Sequence, residues 1–532
     1  MKKFLGAIFK VIKEASTPSV TEFIPTTYKQ AMDSPDANFW KVAIKKELEA
    51  HQANHTWELV ELPAHKRAIG CRWVFNIKDN TTPPMFKGRL VAQGFKQIQG
   101  VDYGETFSPV IRYESIRILF ALAAQFKLAV HQMDVTTAFL NGDLQEEIYM
   151  KVPDGVDAPA NKVCRLRKSL YGLKQAPLCW NIKINDVMLA AGFKRSLSEF
   201  GLYSKVVDAE VVLVALYVDD LLILSNNVAL INQVKLLLNS SFKMKDLGVV
   251  NTFLRMEISQ NSNGISLHLN KYFNNMLQDF GMTECNAVST PLPSNINAID
   301  DGSRLLESDA TAFRSMVGKL LFAANTVRTD LAFAASYLSR FIKDPHTKHL
   351  SACKHTVRYI KGTTKLGLMF REGSEFELVG YCDADWAGDK VDRKSMTGYL
   401  FKLGNSIITW KCKKQQTIAL SSTEAEYMAL GDAVKEALWI RQLLKGLGLK
   451  GKAASAIYED NEGCKMLSEL PIHHQRTKHI DIRHHFIRDH IQKNGVEIKS
   501  ISTNYMIADM LTKSLNRVKF NEMVGMAGMV KK

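Results

Sequence analysis

Residues 211–224 read VVLVALYVDDLLIL, an apolar run interrupted by Asp219 and Asp220. An unpaired charge buried among such neighbours is strongly unfavourable, so something must neutralise the pair. VVLVALYV and LLIL are rich in residues that favour strands, and Ser225-Asn226-Asn227 ends the second run as a turn would. The stretch therefore reads as a hairpin with two carboxylates at its tip. Successive strand residues face opposite sides, so at most one of the two aims squarely at a given site unless the turn redirects the other. A divalent cation is one neutraliser; a solvated turn whose aspartates cap backbone amides is the alternative.

A partner acid lies upstream in LAVHQMDVTTAFLNGDL (128–144), where alternating apolar residues run into Asp134 at the end of a strand. Asp134 with Asp219 could hold two Mg²⁺, hard cations that take carboxylate and phosphate oxygens. Two of them roughly 4 Å apart clamp the attacking and leaving oxygens of a phosphoryl transfer.

The rest of the chain agrees with that chemistry. At 532 residues and 46% hydrophobic, it can fill two or three cores. A net charge of +15 favours a polyanionic partner such as nucleic acid. The eight cysteines show no CxxC pair or zinc-ligand spacing and read as reduced thiols. MKKFLGAIFKVIK at the N-terminus is too short and too charged for a signal peptide, and 211–224 is too short and carries two charges, so no membrane partner is expected.

A second set of acids occupies the C-terminal part. GYCDADW (380–386) supplies Asp383, with Asp385 as its rival, and SSTEAEYMALGDAVKEALWIRQLLKGLG (421–448) has helical periodicity. Two residues on a helix subtend about 200°, so Glu424 and Glu426 cannot share a face. Glu426 lies on the stripe of Leu430, Ala433, Val434 and Ala437 and points inward, whereas Glu424 aligns with Asp432 and Lys435. IYEDNEGC ends a strand at Asp460, and YMIADMLTK opens a C-terminal helix with Asp509. The histidine-rich stretch 473–491 is interleaved with Arg and Lys and reads as a basic helix rather than a zinc site.

YVDD (217–220), MDVTTAFLNG (133–142), SLYGLKQAP (169–177), FKGRLVAQGF (86–95), WVFNIK (73–78), DYGETFSPV (102–110), FKMKDLG (242–248) and VSTPL (288–292) together resemble the reverse transcriptase of copia-type retrotransposon Pol polyproteins. The resemblance runs from about Pro25 to Leu515, and its C-terminal part resembles the ribonuclease H that follows the polymerase in that family. It implies a multidomain α/β and α+β fold. An N-terminal tail (1–24) would precede the fingers and palm of a right-hand polymerase (25–270) and a thumb or connection (271–372). A ribonuclease H-like α/β domain (373–515) and a C-terminal tail (516–532) would follow. The implied activity is RNA-directed DNA synthesis with cleavage of RNA in RNA/DNA hybrids. The implied cofactor is Mg²⁺, two per active site, with Mn²⁺ as a substitute. Implied partners are an RNA template, a DNA primer, the hybrid, dNTPs and, through self-association, a second copy of the chain. The implied setting is a cytoplasmic particle, with the nucleus as a second location.

The resemblance also distributes roles. Asp134 and Asp219 would ligate both polymerase cations, with Asp220 facing away in support. Phe139 would lie under the sugar of the incoming nucleotide and exclude a ribose 2′-OH. Lys87 and Arg89, two residues apart on one strand face, would grip the triphosphate, and Gln175 would lie against the template base. Asp383, Glu426, Asp460 and Asp509 would hold the ribonuclease H cations. Arg255 stands where the family has glycine, Thr329 where it has proline, and SEFGLY (198–203) lacks an expected aspartate. These departures support an alternative of another class, a catalytically silent nucleic-acid-binding relic.

Overall fold

The computed structural model describes residues 23–78, 83–296, 302–373, 376–449, 451, 453–469 and 481–531. Most of the expected N-terminal tail and residues 470–480 of the histidine-rich stretch lie outside them.

The hairpin forms as read. Strand Glu210–Tyr217 pairs with Asp220–Ser225, which pairs in turn with Ala129–Val135, inside a six-stranded antiparallel sheet. The two central strands are apolar along Val211–Leu216 and Leu221–Leu224 because both faces are covered there. Val212, Val214, Leu216, Leu221 and Ile223 pack toward helices Ala176–Ala190 and Val228–Ser241. Leu213, Ala215, Leu222 and Leu224 join the core that contains helix Tyr113–Gln125. This sheet lies where the resemblance expects the palm, and the region before it where the resemblance expects the fingers. The fingers carry helix Ala37–Ala53, which packs on the two-stranded ribbon Cys71–Lys78 and Met85–Ala92.

Beyond the palm, strands Thr252–Phe253, Met256–Asn261, Gly264–His268, Leu366–Phe370 and Val530–Lys531 build one five-stranded sheet. The expected C-terminal tail is therefore an integral part: helix Arg517–Met526 buries Phe520 and Met523, and the strand after it closes the sheet against Leu366–Phe370. The first hairpin of this sheet turns through Leu254 and Arg255, both with positive φ (49° and 69°). Two left-handed residues in a row are what a type I′ hairpin turn demands, and glycine meets that demand without a Cβ clash. Arg255→Gly is expected to raise stability by about 1 kcal/mol, read as a higher denaturant midpoint at unchanged m-value. Thr329 opens a short 3-10 turn, Thr329–Leu331. Proline suits that first position, so the departure from the family leaves the backbone path intact.

The C-terminal domain has sheet order Ser406–Lys414, Met396–Leu403, Leu378–Asp385, Ser455–Glu459, Val496–Ser500. Its first three strands are antiparallel and the last two run parallel to Leu378–Asp385. Helix Ser422–Gly446 covers it and buries Leu430, Ala433, Val434 and Ala437 completely. This is the ribonuclease H-like arrangement.

Palm and C-terminal domain share one apolar core, which runs from helix Tyr113–Gln125 into the C-terminal sheet. At the junction the guanidinium of Arg117, 1% exposed, donates to the carbonyls of Ile408 (2.6 Å), Asn325 (2.8 Å) and Thr326 (2.9 Å). It lies 3.8 Å from the centre of the Trp410 ring, whose indole N–H donates to the Ala324 carbonyl at 2.7 Å. Among the described residues, no helix is long and apolar enough to cross a membrane.

Candidate active sites

In the palm, Tyr217 opposes Asp220, so Val218 and Asp219 are the two turn residues. Strand alternation stops at Tyr217 and does not govern Asp219. Asp220 lies directly opposite Asp134 in the neighbouring strand. Opposed residues share a face of the sheet, so Asp220 does not turn away from Asp134 as expected but stands beside it, where its Oδ1 accepts from Gln132 Nε2 at 3.2 Å. The Asp219 carbonyl accepts from the Val135 amide at 2.8 Å and fastens the turn to the Asp134 strand. All three carboxylates are half-buried.

Two of the other expected residues, Phe139 and Arg89, meet at Tyr171, which sequence reasoning did not single out. Burial, together with nearby Asp219 and Asp134, pushes its phenol up to about 12. Phe139 meets the Tyr171 ring edge-on at 4.7 Å between centroids, and the Arg89 guanidinium lies 4.5 Å above that ring. Lys87 shares the Arg89 face of its strand, as expected. Gln175 is a correction. It is 1% exposed, and its side chain donates to the Asp102 carbonyl (2.9 Å) and accepts from Gln97 Nε2 (3.1 Å). Its amide braces the loop from inside and does not face a template.

In the C-terminal domain, Asp383, Glu426 and Asp460 each offer an oxygen, all within 4.8 Å of one another. Oε2 of Glu426 is buried with no hydrogen-bond partner. An all-carboxylate set with an unsatisfied inward oxygen fits a hard divalent cation. Asp509 is fully buried next to them but is held by Lys513 (2.7 Å) and Lys519. Thr512 donates to Asp383, and Lys513 lies 3.7 Å from it. Glu424 is buried too, at 7% exposure, though for another purpose. The Ser421 hydroxyl accepts from the Glu424 amide (3.1 Å), while the Glu424 carboxylate accepts from the Leu420 amide (2.8 Å), a reciprocal cap on the helix start. The unforeseen member of the group is Glu459, 1% exposed and hydrogen-bonded by the Cys382 thiol at 3.1 Å.

Burial raises these acids in the cation-free chain: Asp383 to about 7, Glu459 to about 8, and Glu426 well above its usual range. Folded values above the unfolded value of about 4 mean that the stabilising neutral forms are full below that pH and are lost as pH rises through 7 to 8. In EDTA, the melting temperature should fall between pH 5 and pH 8, and Mg²⁺ should restore more of it at pH 8 than at pH 5. A Mg²⁺ effect independent of pH would contradict this.

Residues 54–294 match the family described as Reverse transcriptase (RNA-dependent DNA polymerase). The retrovirus-related Pol polyprotein from transposon TNT 1-94 of Nicotiana tabacum is 40% identical over 520 residues, 94% of this chain and 39% of that polyprotein. The chain thus spans about two-fifths of that relative's length. The putative transposon Ty5-1 protein YCL074W of Saccharomyces cerevisiae is 38% identical over its whole length, 57% of this chain. Among solved structures, a foamy viral protease-reverse transcriptase in complex with RNA/DNA hybrid aligns at 13% identity with a TM-score of 0.47, over 94% of this chain and 60% of that chain. The fold itself is a multidomain mixture of helix and sheet. The chain belongs to the reverse transcriptase family, in its copia-type retrotransposon Pol branch.

Proposed function

We propose that the chain copies retrotransposon RNA into DNA and cleaves the RNA strand of the resulting hybrid. The observation that supports this most directly is the register placing Asp220 opposite Asp134 with Asp219 at the adjoining turn, all within reach of a Tyr171 platform that carries Arg89 and Phe139. Asp134 and Asp219 would hold the polymerase cations, and Asp383, Glu426 and Asp460 would hold those of the nuclease, with Asp509, paired to Lys513 and Lys519, beside them. Bound there, Mg²⁺ or Mn²⁺ supplies charge stabilisation to a phosphoryl transfer. Arg89 and Lys87 meet the triphosphate of a dNTP, and the +15 chain carries the template, primer and hybrid.

Primer extension on an RNA template with Mg²⁺ and dNTPs, run beside cleavage of a labelled hybrid, tests both activities. No product from either would favour the silent relic. Phe139 adds a specificity test. Removing its ring by Phe139→Ala should admit a 2′-OH and lower discrimination against ribonucleotides by about 10- to 100-fold. Unchanged discrimination in single-nucleotide incorporation would make Phe139 a packing residue only.

A further inference from the structure

The YVDD turn is held in an uncomfortable conformation. Val218 has φ 56°, in the left-handed region where a β-branched side chain is crowded by its own backbone. Such a residue stays there only when its surroundings leave no alternative. Two hydrogen bonds supply the constraint, one on each turn carbonyl. The Val135 amide holds the Asp219 carbonyl at 2.8 Å. The indole N–H of Trp180 holds the Val218 carbonyl at 2.6 Å.

Trp180 can act as a fixed post. It is 1% exposed, sits on helix Ala176–Ala190 and meets Phe242 edge-on at 5.0 Å between ring centroids. The volume of the ring explains why a large side chain is there. It does not explain why the single polar atom of that ring is spent on a strained peptide that adjoins Asp219.

We propose that Trp180 is a positioning residue for DNA synthesis: by holding the Val218 carbonyl, its N–H keeps Val218 at positive φ and Asp219 aimed beside Asp134. The assignment rests on the polymerase function proposed above. Without the donor, Val218 relaxes toward negative φ, the Val218–Asp219 peptide rotates, and the Asp219 carboxylate leaves its place. The ribonuclease H centre has no share in this contact and is the internal control.

The test replaces Trp180 with benzothienylalanine, which keeps the ring shape and deletes only the N–H, alongside Trp180→Phe. Amide hydrogen exchange over 217–221, without nucleic acid or cation, should accelerate by at least about tenfold relative to the parent chain. In primer extension, kcat should fall by at least about tenfold while the dNTP KM stays within about threefold, and hybrid cleavage should be unchanged. In a Val218→Gly background, where glycine takes positive φ without crowding, loss of the donor should reduce kcat by less than a third of that factor. Exchange and kcat within about twofold of the parent would overturn the proposal, as would an equal loss of synthesis and cleavage, which marks a general packing role. If the parent chain extends no primer, the polymerase function fails, and the exchange rates alone decide whether Trp180 holds the turn.

Discussion

Asp134→Asn and Asp219→Asn should each abolish primer extension, by at least about a thousandfold, and leave cleavage of RNA in a hybrid largely intact. Both substitutions preserve shape while replacing a charged acceptor oxygen by a neutral amide donor, so the loss reports the carboxylate rather than packing. The palm acids stand on strands Ala129–Val135 and Asp220–Ser225 and on the turn that joins the latter to Glu210–Tyr217, whereas the nuclease acids stand on Leu378–Asp385, helix Ser422–Gly446 and just past the end of Ser455–Glu459. They share no ligand. Simultaneous loss of both activities in either variant, with an unchanged melting temperature, would refute two independent centres. Asp220→Asn is the informative intermediate. With its side chain on the Asp134 face, it should impair synthesis, which a side chain turned away would not do.

Glu426→Gln carries the second large effect: hybrid cleavage should fall by at least about a hundredfold while DNA synthesis on a short template survives. The carboxylate lies within 4.8 Å of Asp383 and Asp460 oxygens and leaves Oε2 unsatisfied, so the amide removes charge where a cation needs it. Because burial already favours the neutral form of Glu426, the amide should cost the cation-free protein little stability. Glu424→Gln should do the reverse. Its carboxylate accepts from the Leu420 amide at the helix start, so cleavage should persist while stability drops by about 0.5–1 kcal/mol. Measuring cleavage rate and melting temperature on both variants separates the roles. Cleavage lost in Glu424→Gln and kept in Glu426→Gln would move the assignment to the other face.

The inward glutamate is legible from the 3.6-residue period of its helix, and the aspartate hairpin from a strand-favouring apolar run ended by turn residues; both signals are local. The errors sit where local rules stop. Alternation could not place Asp219, because it belongs to a turn, and so it misplaced Asp220 as well. Gln175 reads as a surface donor until Gln97 and Asp102, more than 70 residues earlier, are seen to consume its amide. The C-terminal segment reads as a tail because its strand partner, Leu366–Phe370, lies far back in the chain. Glu459 was overlooked beside Asp460, since nothing in YED says which acid the sheet will bury.

Arg117 gives the junction a further meaning. Any swing of the nuclease domain away from the palm would strip that guanidinium from three carbonyls and uncover the Trp410 face. The separation between the two active centres is thus built into the core, as graduations are cut into a ruler. If both proposed activities operate, an RNA strand cut while its copy is still growing would be measured off by the protein, with the first cut falling at a set number of base pairs behind the new DNA end whatever the sequence being read.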